Sequence, residues 1–218
     1  MIIVEKKMLI LLYEKKEKFF SYYSTEFRTS PDEQYISLVR GYLGKPDYAL
    51  VIKDLATLED AFTLSIQDIE KRNPDLVQDI SFSGGGWSKN SRYFWADTSY
   101  GANTLGFIRI DMQEKKFDLF PSPKDVLGGD ALNLERGLTT IHPGNVWYGV
   151  TDITEEEKAR RRKEGIGTEL YIHNLLTGER TFIASTTEPL WFYQPRWTSE
   201  TELQYTLPSG EKRVYVVR

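Results

Sequence analysis

The side chains that could carry chemistry are few. Only two histidines occur, His142 and His173, and cysteine is absent, which removes disulfides, thiolate metal ligands and a cysteine nucleophile. A serine hydrolase needs a hydroxyl activated by a neighbouring base, and no G-x-S-x-G elbow is present. Ser83-Gly84-Gly85-Gly86-Trp87 is glycine-rich but lacks the G-x-x-x-x-G-K-[ST] spacing of a phosphate loop, so it reads as a close-packed turn entering a strand. Asp32, Asp97 and Asp152 fall near corresponding places of a repeat and could form a carboxylate ring for a hard cation. Aspartate is also the ordinary turn residue in such places, and no metal or other cofactor is assigned.

The elements that must position these groups are announced by a phrase spelled four times: Thr29-Ser30-Pro31-Asp32, Trp87-Ser88-Lys89-Asn90, Ile141-His142-Pro143-Gly144 and Trp197-Thr198-Ser199-Glu200. The copies start 58, 54 and 56 positions apart. Each is a turn that opens into an apolar or aromatic run: Tyr35 to Leu38, Tyr93 to Ala96, Val146 to Val150 and Leu203 to Tyr205. A second phrase runs out of phase with it. Strand-like Ala49 to Asp54, Gly106 to Asp111 and Leu170 to Asn174 each end in Asp or Asn, then restart as Ala61 to Ser65, Phe117 to Phe120 and Thr181 to Ala184. An Asp or Asn at a strand exit closes an Asx turn, and the two phrases together describe antiparallel blades.

The ends carry broken copies. Met8 to Tyr13 and Phe19 to Tyr23 read as late strands of one blade, and residues 197–217 supply about three strands of another. The expected fold is all-β, a β-propeller-like array of about four antiparallel blades: three complete, and one shared between the termini or left as two open half-blades. As a single domain over 1–218, its blades cover roughly 26–72, 80–122, 138–186, and 194–218 with 1–24. Three segments interrupt the repeat. Thr154-Glu155-Glu156-Glu157 is a capping-box pattern that predicts a short charged helix ending at Gly165 and Gly167. Pro121 to Leu134 reads as a long loop between blades, and Asp68 to Asn73 as a helical turn before Pro74.

The phrases Ser30-Pro31-Asp32-Glu33-Gln34-Tyr35-Ile36 and Trp87-Ser88-Lys89-Asn90-Ser91-Arg92-Tyr93-Phe94 resemble the repeat of the TolB-like and prolyl-oligopeptidase-like propellers, the WD40-like or PD40 repeat. That repeat reads W-S-P-D-G-K-x-I-A-F, followed by a strand ending I-x-D-L-x-T-G. Leu170 to Arg180 is similar to the second half, with Asn174 where Asp is usual and Thr177-Gly178 matching. The chain departs from the pattern in lacking Gly after Asp32 and in placing Lys89 and Ser199 where Pro is usual. The resemblance implies blades and specifies no activity.

Within blades, the strand after the first turn is expected near the propeller axis, and Trp87, Tyr93, Trp95, Trp147, Trp197 and Tyr205 are expected to pack between neighbouring sheets. His173, whose counterparts are Lys53 and Arg109, is expected to face outward, whereas His142 could reach the mouth of the channel. Trp191-Phe192-Tyr193 stands apart, because three consecutive aromatics cannot all face one side of a strand. With His142 and Trp87, this run is the candidate ligand platform for sugar or peptide. Arg160, Arg161 and Arg162, followed by Lys163, are the candidate contacts for an acidic partner, weighed against a plain solvated helix face.

Composition narrows the classes further. The 218 residues carry a formal net charge of −4 with both signs interspersed, which gives no basis for broad nucleic-acid affinity. The short apolar stretch Met8 to Tyr13 neither spans a bilayer nor forms a signal peptide with a cleavage site. The compartment therefore stays open, an exported parent protein included. The preferred reading is a non-catalytic scaffold that binds a protein, peptide or glycan through loops at one face. The alternatives are an enzyme component, such as a peptidase-gating propeller or a propeller hydrolase with an axial metal site, and a fragment of a larger propeller.

Overall fold

The structure is a computed structural model and describes residues 27–41, 43–73, 81–100, 103–122, 131–143 and 154–218. The predicted pairing of Met8 to Tyr13 and Phe19 to Tyr23, the strand Val146 to Val150, Trp147, and Asp152 lie outside those residues. The chain divides into two compact units, residues 1–82 and 83–218.

The fold is the expected all-β, propeller-like array of antiparallel blades. The first sheet runs in the order β1 (Arg28–Thr29), β2 (Tyr35–Arg40), β3 (Ala49–Asp54) and β4 (Asp60–Ser65). The second runs β5 (Ser81–Trp87), β6 (Tyr93–Tyr100), β7 (Asn103–Asp111) and β8 (Lys116–Pro121). The third contains β9 (Leu132–Asn133), β10 (Leu138–Ile141), β11 (Thr168–Asn174) and β12 (Arg180–Thr186), and the fourth only β13 (Arg196–Trp197), β14 (Glu202–Thr206) and β15 (Lys212–Val216). All are meanders in which sequence neighbours pair antiparallel. Two helices complete the described elements, α1 (Ile66–Arg72) and α2 (Glu155–Lys163).

Turn chemistry explains why the strands pair as they do. In the first sheet the Ser30 hydroxyl donates to Asp32 Oδ1 at 2.6 Å and accepts the Tyr35 N–H at 2.9 Å, while Asp32 Oδ1 accepts the Gln34 N–H at 3.1 Å. Ser88, Asn90, Tyr93 and Arg92 repeat this network at 2.7, 2.9 and 3.1 Å. At the next hairpin Asp54, Asp111 and Asn174 each take two backbone N–H groups on one side-chain oxygen, two and three residues ahead, at 2.8–3.2 Å. These are the predicted Asx turns.

Three expectations change. The strand after the first turn (β2, β6, β10, β14) is the second of its sheet, and the strand before the turn, seven residues long in the second sheet and two in the others, forms the sheet edge. The third copy of the phrase is displaced: Leu138 pairs with Asn133, so the turn is Leu134 to Gly137, and Ile141 ends a strand instead of opening a turn. Equivalent turn residues Ser30, Ser88, Asn133 and Thr198 are thus 58, 45 and 65 positions apart. Asn133 serves this turn from its side chain, accepting the Glu135 and Arg136 N–H groups at 3.2 Å each. Finally, His173 is buried, because β11 is an interior strand covered on both faces. Its counterpart Lys53 is also buried and extends its ammonium to Asp60 at 2.8 Å.

In the first unit, Ile36, Leu38, Val51, Ile52, Leu64 and Ile69 are buried. In the second, Trp95 and Phe107 pack against Leu132, Leu134 and Leu175 of the third sheet, while Leu138 and Ile172 on that sheet's other face meet Leu203. Burial at about 25 cal/mol per Å² makes these sheet-to-sheet seams the main source of cohesion.

Candidate functional site

The third sheet has one end where the chain departs from the repeat. There His142 and the stretch 154–167, described parts of the β10–β11 connection, meet the β12–β13 connection, residues 187–195. His142 opens the first connection and is buried, stacked on Tyr193 at 5.7 Å and 12° and tilted against Phe192 at 5.9 Å and 45°. Tyr193 is wholly enclosed; its hydroxyl donates to the Thr168 carbonyl at 2.8 Å, and its ring meets Tyr205 edge-on at 6.2 Å. Burial pushes the Tyr193 phenol up to about 12, with the neighbouring Tyr205 and Glu169 adding to the effect. Trp191 is half-buried and fixed twice, its backbone N–H on Thr168 Oγ1 at 3.0 Å and its indole N–H on the Thr206 carbonyl at 2.9 Å. Phe192 is left 45% exposed between these two anchored neighbours.

The backbone of this segment is strained on both sides of the aromatic run. Leu190 and Gln194 have φ of 57° and 49°, a left-handed conformation that is uncommon for non-glycine residues and costs about 1–3 kcal/mol each. Between these two residues the three aromatics keep the alternation of an extended segment, so that Trp191 and Tyr193 point into the fold and Phe192 points out. Gly167 is required nearby, since a Cβ there would stand 2.0 Å from the Thr186 carbonyl oxygen.

Helix α2 is tied to the same segment by an ion pair between Arg162 and Glu188. The Thr154 hydroxyl accepts the Glu157 N–H at 3.1 Å, which is half of the predicted capping box. The Glu157 carboxylate turns forward instead, to Arg160 and Arg161 at 2.8 Å, and these hydrogen bonds, Arg160 first, hold it down at about 2. Arg160 also reaches Glu164, so all three candidate arginines are engaged within the chain.

A second group was named by the sequence only as one member of a carboxylate ring. Asp97 lies mid-strand in β6, half-buried, and burial raises its carboxyl to about 7. It makes no ion pair or side-chain hydrogen bond with a described residue. The strand alternation puts it on the face of Tyr93 and Trp95, opposite Phe107. Leu132 packs on Phe107, and Thr139, paired with both Leu132 and His173, lines the same seam from the third sheet. Thr139 Oγ1 is buried without a hydrogen-bond partner among the described residues. An acid two residues beyond two aromatics on one strand face, Tyr93-x-Trp95-x-Asp97, was the available signal.

The structure therefore unites Trp191, Phe192, Tyr193 and His142, though His142 lies beneath the platform and not at a surface mouth. It leaves Trp87 elsewhere, buried against Phe94 at 5.0 Å. Of the three aspartates of the expected carboxylate ring, Asp32 serves a turn, Asp97 sits within a strand and Asp152 lies outside the described residues; among the described residues no group of three His, Asp or Glu could hold a metal. Among the described residues no helix is long and apolar enough to cross a membrane.

No protein-family model matches the sequence, and no curated protein matches it. Solved structures do. The chain is similar to oligogalacturonate lyase from Vibrio parahaemolyticus, with a TM-score of 0.53 and 13% identity over 82% of this chain and 44% of that one. An oligogalacturonate lyase in complex with manganese follows at TM-score 0.49 and 14% identity over the same shares, and the acylaminoacyl peptidase of Pyrococcus horikoshii at 0.47 and 12% over 88% and 30%. The chain spans less than half the length of each of these structures. At 13% identity the likeness at TM-score 0.53 shows the fold alone, a nearly all-β, β-propeller-like chain.

Proposed function

We propose that this chain is a binding module of the WD40-like, TolB-like propeller kind, which takes a protein, peptide or glycan ligand on the face where the two irregular connections meet. The observation that carries this reading is Phe192, held out to solvent over the buried His142–Tyr193 stack by two left-handed residues. Strained backbone persists where the surroundings over-determine it, and it clusters at ligand-binding segments. An exposed aromatic on a rigid base loses little freedom on binding, which suits stacking against a sugar or peptide. Oligogalacturonate and capped peptides are the first probes, titrated by calorimetry. The reading expects saturable binding without turnover, at least tenfold weaker in Phe192→Ala, with the melting temperature unchanged. Equal binding by the variant would sink it.

A second reading, an enzyme component, rests on Asp97. A carboxyl poised near 7 in a half-buried seam has the ionisation expected of a general acid or base. Turnover of oligogalacturonate that survives in Phe192→Ala and disappears in Asp97→Asn would establish it.

A further inference from the structure

Beside the Phe192 face stands a cation that is held by a single contact. Of the three arginines on α2, Arg160 is clamped between Glu157 and Glu164, and Arg161 shares Glu157 and is only 16% exposed. Arg162 differs. Its side chain is 47% exposed and reaches Glu188 through one guanidinium nitrogen, which leaves its other N–H groups for a further acceptor. Lys163, next to it and exposed, makes no ion pair or side-chain hydrogen bond with a described residue.

Thr168 brings the Arg162–Glu188 pair to the aromatic run. Its hydroxyl donates to the Glu188 carbonyl at 3.0 Å and accepts the Trp191 N–H at 3.0 Å, closing residues 188–191 into a loop whose next residue is Phe192. Gly167 lies against Thr186 and Thr187, which sets Ile166, 42% exposed, beside the same loop. The described surface around Glu188 thus carries two apolar side chains, Ile166 and Phe192, and a guanidinium whose present partner is itself exposed.

We propose that this platform takes an acidic peptide, whose Asp or Glu carboxylate displaces Glu188 from Arg162 while a neighbouring apolar side chain packs on Phe192. The inference names the ligand of the site described under the proposed function and rests on that reading. An exposed ion pair contributes little to stability, so exchanging one carboxylate for another costs little, and the affinity comes from the ring that binding buries. Arg162 supplies the selection through a charge-assisted hydrogen bond. Aromatic residues and arginine are also the side chains on which protein interfaces concentrate their binding energy. Ile166 favours a peptide over a glycan, because it packs against an aliphatic side chain and offers a sugar no hydrogen bond.

The test pans the full chain, in parallel with Phe192→Ala, on a bead library of end-capped random octapeptides. A peptide retained only by the unaltered chain is then measured by fluorescence anisotropy. Such peptides should carry Asp or Glu, and replacing that residue by its amide should weaken binding about tenfold. Arg162→Gln and Glu188→Gln break the same ion pair, so a merely structural pair predicts the same change from both. Exchange predicts opposite signs: about tenfold weaker binding in Arg162→Gln, and about threefold tighter binding in Glu188→Gln, which removes the competing carboxylate. The change on the peptide needs no protein variant, so a misfolded Arg162→Gln would not rescue the idea. Phe192-dependent peptides that lack an acidic residue, or equal effects of the two variants, would overturn the exchange and leave the platform standing. Absence of any Phe192-dependent peptide would overturn it as well. In that case Phe192-dependent binding of oligogalacturonate would make the ligand a glycan, and its absence would bring down the platform reading too.

Discussion

The two ends of the third sheet are built on opposite principles. At one end, polar side chains fold back on the backbone. Asn174 and Asn133 each close an Asx turn, Asn133 Nδ2 donates to the Glu200 carbonyl at 2.9 Å, and Glu135 accepts the Lys89 N–H at 2.5 Å. Lys89 also pairs with Glu200, so the first turns of the second, third and fourth sheets are laced together. At the other end, aromatic rings and strained backbone do the holding, around Tyr193, His142 and Trp191. Copied turns give a scaffold in which each unit is interchangeable. Among the described residues, the uncopied end presents the exposed ring of Phe192.

The comparison breaks most sharply at Tyr193. Tyr193→Ala should cost about 3–5 kcal/mol, the usual loss for truncating a buried aromatic, because it empties the space between His142 and Tyr205. Tyr193→Phe keeps the ring and strands the Thr168 carbonyl, for about 1–2 kcal/mol. Urea melts of the two variants separate packing from hydrogen bonding. If both cost the same, the end is held by its polar contact and the contrast with the opposite end disappears.

Between the ends lies Asp97, which neither mechanism serves. Its folded value, about 7, stands above the ordinary carboxyl value of 3.8. Between those values the native state keeps a proton that the unfolded chain has released, so stability falls as pH rises through that window and stays low above it. Asp97→Asn should flatten this profile and raise stability at pH 8 by about 2–4 kcal/mol. Thermal melts from pH 4 to 8 measure it. A wild-type profile that rises over the same range would mean that the seam holds the carboxylate charged.

What was legible in the sequence follows the same division. The hairpins at Asp54, Asp111 and Asn174 could be placed because an Asx turn needs a specific side chain at a specific offset. The third first-turn could not, because Asn133 does the work of Ser30 and Ser88 with neither the Trp nor the Ser-Pro cue, and Ile141-His142-Pro143-Gly144 offered a better spelling at a more regular spacing. His173 was misread because Lys53 and Arg109 look solvent-facing as letters: Lys53 is buried with its charge met by Asp60, and with Asp111 equivalent to Asn174 the residue in register with His173 is the buried Ile110, not Arg109. The exposure of one residue among Trp191 to Tyr193 could be argued from alternation. Which one it is depends on φ at Leu190 and Gln194, and tertiary contacts set those angles.

Asn133 tests the laced end directly. Asn133→Ala removes two turn contacts and the bond to the Glu200 carbonyl from a buried position, and should cost about 1–3 kcal/mol. Asn174→Ala, at a half-buried hairpin with no bond to another sheet, should cost about 1 kcal/mol. Equal losses would show that the lacing between sheets adds nothing to the turns themselves.

The smallest effect probes the conformation that the turns share. Glu33 and Ser91 stand in the left-handed conformation three residues after Ser30 and Ser88, at φ of 57° and 59°, and Leu58, Lys115, Gly137 and Gly178 four residues after Asp54, Asp111, Asn133 and Asn174, at 62°, 51°, 62° and 77°. The repeat thus fixes the backbone even where the sequence has no glycine. A left-handed L-residue costs roughly 1–2 kcal/mol, and glycine returns about 0.5–1 kcal/mol of that in unfolded-chain entropy. Glu33→Gly should therefore stabilise by about 0.5–1 kcal/mol. Its side chain is exposed, so no lost contact offsets the gain. Chemical denaturation with an unchanged slope checks it. A loss of stability would mean that Glu33 holds its turn through its side chain, which would make this first turn a locally specialised one like the segment around Phe192.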